Sequence, residues 1–220
     1  MIMQPAFDSS RLLARDDLAR LTAADIPPGS YVNLGIGLPT RVADFLGPES
    51  GVILHTENGM LGMGPQAYDD DIDPDLINAG KLPITETPGA AYFHAADSFA
   101  MMRGGHLDVC VLGAFQVSID GDLANWHTGA PDAIPAVGGA MDLALGAKNV
   151  FVLMSLFGKD GSPKLVPKCT YPLTAVACVS RIYTEYGVFL LTDHGTVVRE
   201  TYGISRNDLA SRLMITLHDD

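Results

Sequence analysis

Short runs of β-forming residues that end on glycine-bearing turns, with helical segments between them, constrain this chain more than anything else in it. Residues 31–34 (YVNL) run straight into Gly35-Ile36-Gly37. Residues 51–55 run into Thr56-Glu57-Asn58-Gly59, and residues 107–112 run into Gly113. Residues 149–154 form a further, strongly apolar strand, and residues 116–118, 174–179 and 188–192 read as later ones. Helical periodicity falls between them. Over residues 9–23, Leu12, Leu13, Leu18 and Leu21 face one way, with Ser9 or Ser10 as N-cap. Pro39 opens a helix through Phe45. Residues 95–102, 140–145 and 207–213 are helical as well, while residues 60–88 read as loop-rich. Strands alternating with helices predict an α/β fold: an open, mostly parallel sheet with helices on both faces. No repeat or linker divides the 220 residues, so a single domain over 1–220 is expected. In such sheets ligands sit outside the carboxyl ends of strands. That directs attention to residues 33–37, 57–59, 113–116 and 138–139.

Composition removes several classes of function. A formal net charge of −12 argues against nucleic-acid binding, which needs clustered Lys and Arg. The acidic run Asp69-Asp70-Asp71 lacks the glycine and closing glutamate of a calcium loop and reads as a solvated turn. The six histidines show no metal-ligand spacing, so no metal is expected. Three cysteines without clustering argue against a disulfide framework. Cys110 and Cys178 read as core residues of strands, and Cys169, beside Lys168, is a secondary nucleophile candidate. The N-terminus has no basic lead-in or long apolar core, and no stretch approaches membrane-spanning length. A soluble, cytoplasmic protein without membrane contact is expected.

The chemistry-bearing residues stand in the turns. Glu57 ends a strand and precedes a glycine, which is either an exposed reactive carboxylate or a surface turn residue. Asn33-Leu34-Gly35-Ile36-Gly37 is a strand-to-helix turn able to cradle an anion, or a tight turn packed closely on its neighbours. Gly138-Gly139, ahead of a helix, could offer backbone N–H groups as an oxyanion hole, or is again a tight turn.

Six ordered segments together resemble one family. They are NLGIGLP (33–39), TENGMLGMGP (56–65), DLINAGK (75–81), ADSFAMMRGGHLD (96–108), GAFQVSIDGDLANW (113–126) and GGAMDL (138–143). Their order and spacing are similar to the β subunit of the family I, 3-oxoacid CoA-transferases. Residues 133–143 and 169–184 most resemble the members that act on 3-oxoadipate. The resemblance implies that Glu57 is the nucleophile, that Asn33, Gly35 and Gly37 form the turn near the thioester, that the backbone at Gly138 (with Gly139 following) holds the acyl oxygen, and that Lys81 lies near the pantetheine arm. It implies a coenzyme A thioester as substrate, with succinyl-CoA as donor, and no permanently bound cofactor. It also implies an α-subunit partner, two copies of each chain, that completes the site. One departure stands at Ser155-Leu156, where the family carries an acidic residue and a histidine. Two other readings compete: a sugar-phosphate isomerase or deaminase, and a non-catalytic metabolite-binding protein. The intact Thr56-Glu57-Asn58-Gly59 motif speaks against the latter.

Overall fold

The computed structural model describes residues 7–219, apart from 131, 133, 136 and 137. In chain order its regular elements are α1 (Arg15–Asp25), β1 (Tyr31–Leu34), β2 (Ile53–Thr56), β3 (Met60–Gln66), β4 (Ile84–Tyr92), α2 (Ala95–Arg103), β5 (Val109–Leu112), β6 (Gln116–Ser118), β7 (Leu123–Ala124), α3 (Ala140–Gly146), β8 (Asn149–Leu153), β9 (Leu165–Val166), β10 (Val179–Thr184), β11 (Gly187–Thr192), β12 (Gly195–Thr201), α4 (Arg206–Leu213) and β13 (His218–Asp219). One open sheet runs β13-β12-β11-β10-β8-β5-β1-β2-β3-β4, and β7-β6-β9 make a smaller one. The centre of the large sheet, from β2 through β1, β5 and β8 to β10, is parallel. Antiparallel meanders extend it on both sides, β10-β11-β12 and β2-β3-β4.

Strand alternation divides the core in two. In β5, Val109 and Val111 point to one face and Cys110 and Leu112 to the other. In β8, Phe151 and Leu153 oppose Val150 and Val152 in the same way. The first face is covered by α1 through Leu18 and Leu21. The second is covered by α2, α3 and α4 through Met102, Leu143, Leu209 and Leu213. A parallel sheet apolar on both faces requires such double cover, because each strand pair exposes apolar rows above and below. Among the described residues no helix is long and apolar enough to cross a membrane.

The local boundaries differ from expectation in instructive places. The first helix begins at Arg15, not Ser9. Its cap is the Asp17 carboxylate, which accepts from the Ala14 N–H at 2.9 Å, while Ser10 is held in a turn by Asp8. Residues 38–45 form a 3-10 helix. The loop-rich stretch contains β3 and β4, hidden in the sequence by Gly62, Gly64, Pro65 and Gly89. The strand expected at 174–179 starts only at Val179. Ala177 takes a left-handed backbone (φ 47°), its N–H bonded to the Asp122 carboxylate at 3.0 Å, so the apolar run before it cannot extend. Cys178 is therefore half-buried ahead of the strand, not within it.

Candidate active site

The parallel strands reverse direction of progression at β1: β2 lies on one side of it and β5 on the other. Crevices form at such a reversal, outside the carboxyl ends. A cavity of about 840 Å³ occupies that position. It is lined by the residues that leave β1 (Gly35), β2 (Glu57), β5 (Gly113) and β8 (Ser155), together with Gly138 and Gly139. A smaller cavity of about 260 Å³ lies on the other side of Glu57, lined by Asn33, Thr40, His55, Asn58 and Asn78 among others. Glu57 and Ile36 belong to both, so the glutamate stands in the partition.

The hairpin that carries Glu57 is rigid for identifiable reasons. The Thr56 hydroxyl accepts from the Met60 N–H at 3.0 Å, and the Gly59 N–H donates to the Thr56 carbonyl at 3.2 Å. Gly59 has φ 113°, and a Cβ there would lie 2.0 Å from the Phe93 carbonyl oxygen. Only glycine fits both the dihedral and the space. Glu57 and Asn58 are thus presented at the tip of a fixed turn, where both line the smaller cavity.

Behind the hairpin runs a buried chain of hydrogen bonds. The Asn33 amide nitrogen lies 3.0 Å from His55 Nδ1 and donates to the His55 carbonyl at 3.1 Å. His55 Nε2 lies 2.9 Å from Ser98 Oγ, which donates to the Thr56 carbonyl at 2.9 Å. One assignment satisfies every group: Nδ1 accepts, Nε2–H donates to the serine, and the serine donates onward. Burial pushes His55 down to about 4, opposed by its hydrogen bond at Ser98, so the ring is neutral near pH 7 as that assignment requires. The chain ends on the peptide that precedes Glu57 and sets its direction. Ser98→Ala removes the acceptor for Nε2–H and a donor to Thr56. The expected cost is about 1–3 kcal/mol of stability for the stranded groups, visible as a melting temperature lower by several degrees, with slower reaction at Glu57. An unchanged melting curve would remove the network from the account.

The Glu57 carboxylate accepts from the Gly139 N–H at 3.2 Å. A Cβ at Gly139 would come within 2.5 Å of Glu57 Oε2, so the close approach requires glycine. Burial raises the Glu57 pKa; the Gly139 N–H lowers it, and the neighbouring Asp142 charge raises it again. The result is a half-buried, comparatively basic carboxylate with one backbone donor already aimed at it. Such a group can act as a nucleophile, and the same N–H can hold an oxyanion.

Of the residues singled out from the sequence, Glu57, Gly35, Gly37, Gly138 and Gly139 meet in the larger cavity. Asn33 is buried, lines the smaller one and meets His55 Nδ1 and the His55 carbonyl. The N–H that reaches Glu57 is that of Gly139, with Gly138 (φ 46°) bending the chain before it. Lys81 lines neither cavity; its loop contributes Asn78 and Ala79 to the smaller one. Cys169 lines neither, and burial pushes its thiol up to about 11, which makes it a poor thiolate source. The sequence does not single out His55 or Ser98 as supports of the site. Ser98 had a signal: it is four residues from Met102 on the buried face of α2, where a lone hydroxyl needs a partner.

Residues 15–202 match the coenzyme A transferase family model. The chain belongs to the coenzyme A transferase family. It is 61% identical over 191 residues to a 3-oxoadipate CoA-transferase subunit of Pseudomonas putida, covering 87% of this chain and 89% of that one. To the subunit of the same name from Acinetobacter baylyi it is 55% identical over 208 residues, covering 94% and 96%. In fold it is similar to the crystal structure of an acyl-CoA transferase from Escherichia coli O157:H7, with a TM-score of 0.73 at 19% identity, covering 99% of this chain. The chain spans only 43% of that larger protein.

Proposed function

We propose that this chain is the Glu57-bearing subunit of a 3-oxoacid CoA-transferase that moves CoA from succinyl-CoA to 3-oxoadipate. The observation that carries the mechanism is the Glu57 carboxylate, held in a cavity wall by a rigid hairpin and met by the Gly139 N–H at 3.2 Å. The substrate assignment rests on the likeness to the two 3-oxoadipate enzymes.

A Glu57 oxygen attacks the thioester carbonyl of the donor; the C–S bond breaks, and CoA leaves as thiolate. The product is a mixed acyl–glutamyl anhydride. The thiolate then attacks the glutamyl carbon, the anhydride C–O bond breaks, and the donor acid leaves as carboxylate. Glu57 now carries CoA as a thioester. The acceptor carboxylate repeats both steps in reverse order and restores Glu57. Covalent catalysis thereby divides one difficult exchange into easier ones. At each attack on the glutamyl carbon, negative charge develops on the oxygen that faces Gly139. One such donor is worth on the order of 10²–10³ in rate. No proton is transferred in the cycle, and no permanently bound cofactor is called for.

The test is trapping. With the partner subunit present, borohydride should inactivate the enzyme only after acyl-CoA is added, by reducing the thioester at Glu57 to an alcohol that peptide mass analysis can locate. Equal inactivation with and without acyl-CoA would count against the covalent route.

A further inference from the structure

One charged side chain in the larger cavity has no task in the chemistry just described. Lys164 is half-buried and lines the cavity that Glu57 faces. Its backbone is fixed from both sides: its N–H donates to the Leu156 carbonyl and its carbonyl accepts from the Val117 N–H, each at 2.9 Å. Among the described residues its ammonium is in no ion pair. The nearby carboxylate, Glu185, is turned instead to the Leu156 N–H, at 3.1 Å from one oxygen and 3.4 Å from the other. Burial lowers the Lys164 pKa, countered by the Glu185 charge. A cation with no close ion pair among the described residues, in a partly desolvated cavity, is costly, and an anionic ligand reduces that cost.

Both acids of the proposed reaction carry a second carboxylate remote from the reacting carbon. We propose that Lys164 receives that remote carboxylate, so that the larger cavity selects dicarboxylic 3-oxoacids over monocarboxylic ones. The assignment rests on the transferase reading above. The other cation on the cavity lining, Arg15, is exposed at the start of α1, where solvent screens it. The charge balance also follows the cycle. The charged residues lining the cavity are Arg15 and Lys164 against Glu57 and Glu185. When Glu57 becomes a thioester it loses its charge and the lining turns net positive, at the stage when the free dicarboxylic acid must enter.

The experiment compares 3-oxoadipate with 3-oxohexanoate, which has a methyl group in place of the remote carboxylate. Each is given to the assembled enzyme with succinyl-CoA as donor. In a ping-pong cycle kcat/KM for the acceptor reports only its reaction with the enzyme–CoA thioester, so effects on the donor cancel. Lys164→Met and Lys164→Gln should lower kcat/KM for 3-oxoadipate by on the order of 10- to 100-fold, the scale of a charge-assisted hydrogen bond. The value for 3-oxohexanoate should stay within about threefold, since no charge-assisted contact to it is lost. The ratio of the two acids within one preparation is independent of how much of it is folded. An unchanged ratio in both variants would overturn the role of Lys164. Failure of the unsubstituted enzyme to transfer CoA to either acid would instead overturn the transferase reading, and this assignment with it.

Discussion

Glu57→Gln is expected to abolish CoA transfer in the assembled enzyme while leaving the fold intact. The amide keeps the shape of the side chain and can still accept from Gly139, but it has no anionic oxygen to open the reaction. Glu57→Ala should be equally inactive. Glu57→Asp is more informative, because it keeps the charge and draws it back by one methylene from the Gly139 N–H, now 3.2 Å away. A misplacement of about 1 Å can cost on the order of a hundredfold, so the aspartate enzyme should be severely impaired rather than dead. Steady-state rates and borohydride trapping decide the matter; near-normal transfer by the alanine variant would sink the mechanism. The pH dependence follows from the same carboxylate. Burial and Asp142 both raise its pKa, and only the ionised form attacks. Activity should therefore rise with pH through a limb placed above the ordinary glutamate range. Asp142→Asn, which removes one raising influence, should move that limb toward lower pH.

The second large effect concerns the chain by itself. It is expected to show no transferase activity until the α subunit is added. The site carries exposed apolar side chains: Ile36, which borders both cavities, is 72% exposed, and Phe115, which lines the larger one, is 38% exposed. A monomeric protein seldom leaves such residues together at the mouth of a site, whereas permanent interfaces commonly bury roughly 2,000 Å² or more of such surface. The outer edge of the large sheet, β4, is also unpaired on one side among the described strands, with Tyr92 58% exposed. Purified alone, the chain should self-associate or aggregate through these surfaces. Co-expression should give a heteromer, two of each chain, and titration of the α subunit should restore turnover. Full activity from the isolated chain would refute the expected division of the site.

The centre of the fold was readable because its strands obey one simple rule. Buried on both faces, β1, β5 and β8 are short apolar runs that stop at glycine or at the site, and this pattern survives without any knowledge of the partners. The meanders were less legible. β4 is largely exposed along its length, so it has no alternation to detect, and β3 is interrupted by glycines that exist for close contacts across the pair. Position alone leaves Glu57 either a reactive carboxylate or a surface turn residue; the six ordered segments that resemble the 3-oxoacid CoA-transferases are what mark it as the proposed nucleophile. Its supports could not be located from the sequence. His55 and Ser98 are 43 residues apart in the chain and meet only when α2 packs behind the hairpin. Lys164 looked like any other lysine, since its distinction lies in its place on the cavity wall with no ion pair among the described residues, a property of space rather than of order along the chain.

The contact between Glu57 and Gly139 joins positions 82 residues apart. Its consequence is historical. A side chain at 139 is excluded first by the carboxylate: the nearest heavy atoms to a Cβ placed there all belong to Glu57. The two positions therefore form one unit of inheritance for as long as the chemistry is selected. A descendant that gave up Glu57 for a smaller residue would release 139 to drift without any loss of that contact's function. Any lineage in which 139 has filled while a glutamate persists at 57 would have had to turn that glutamate away from its donor first.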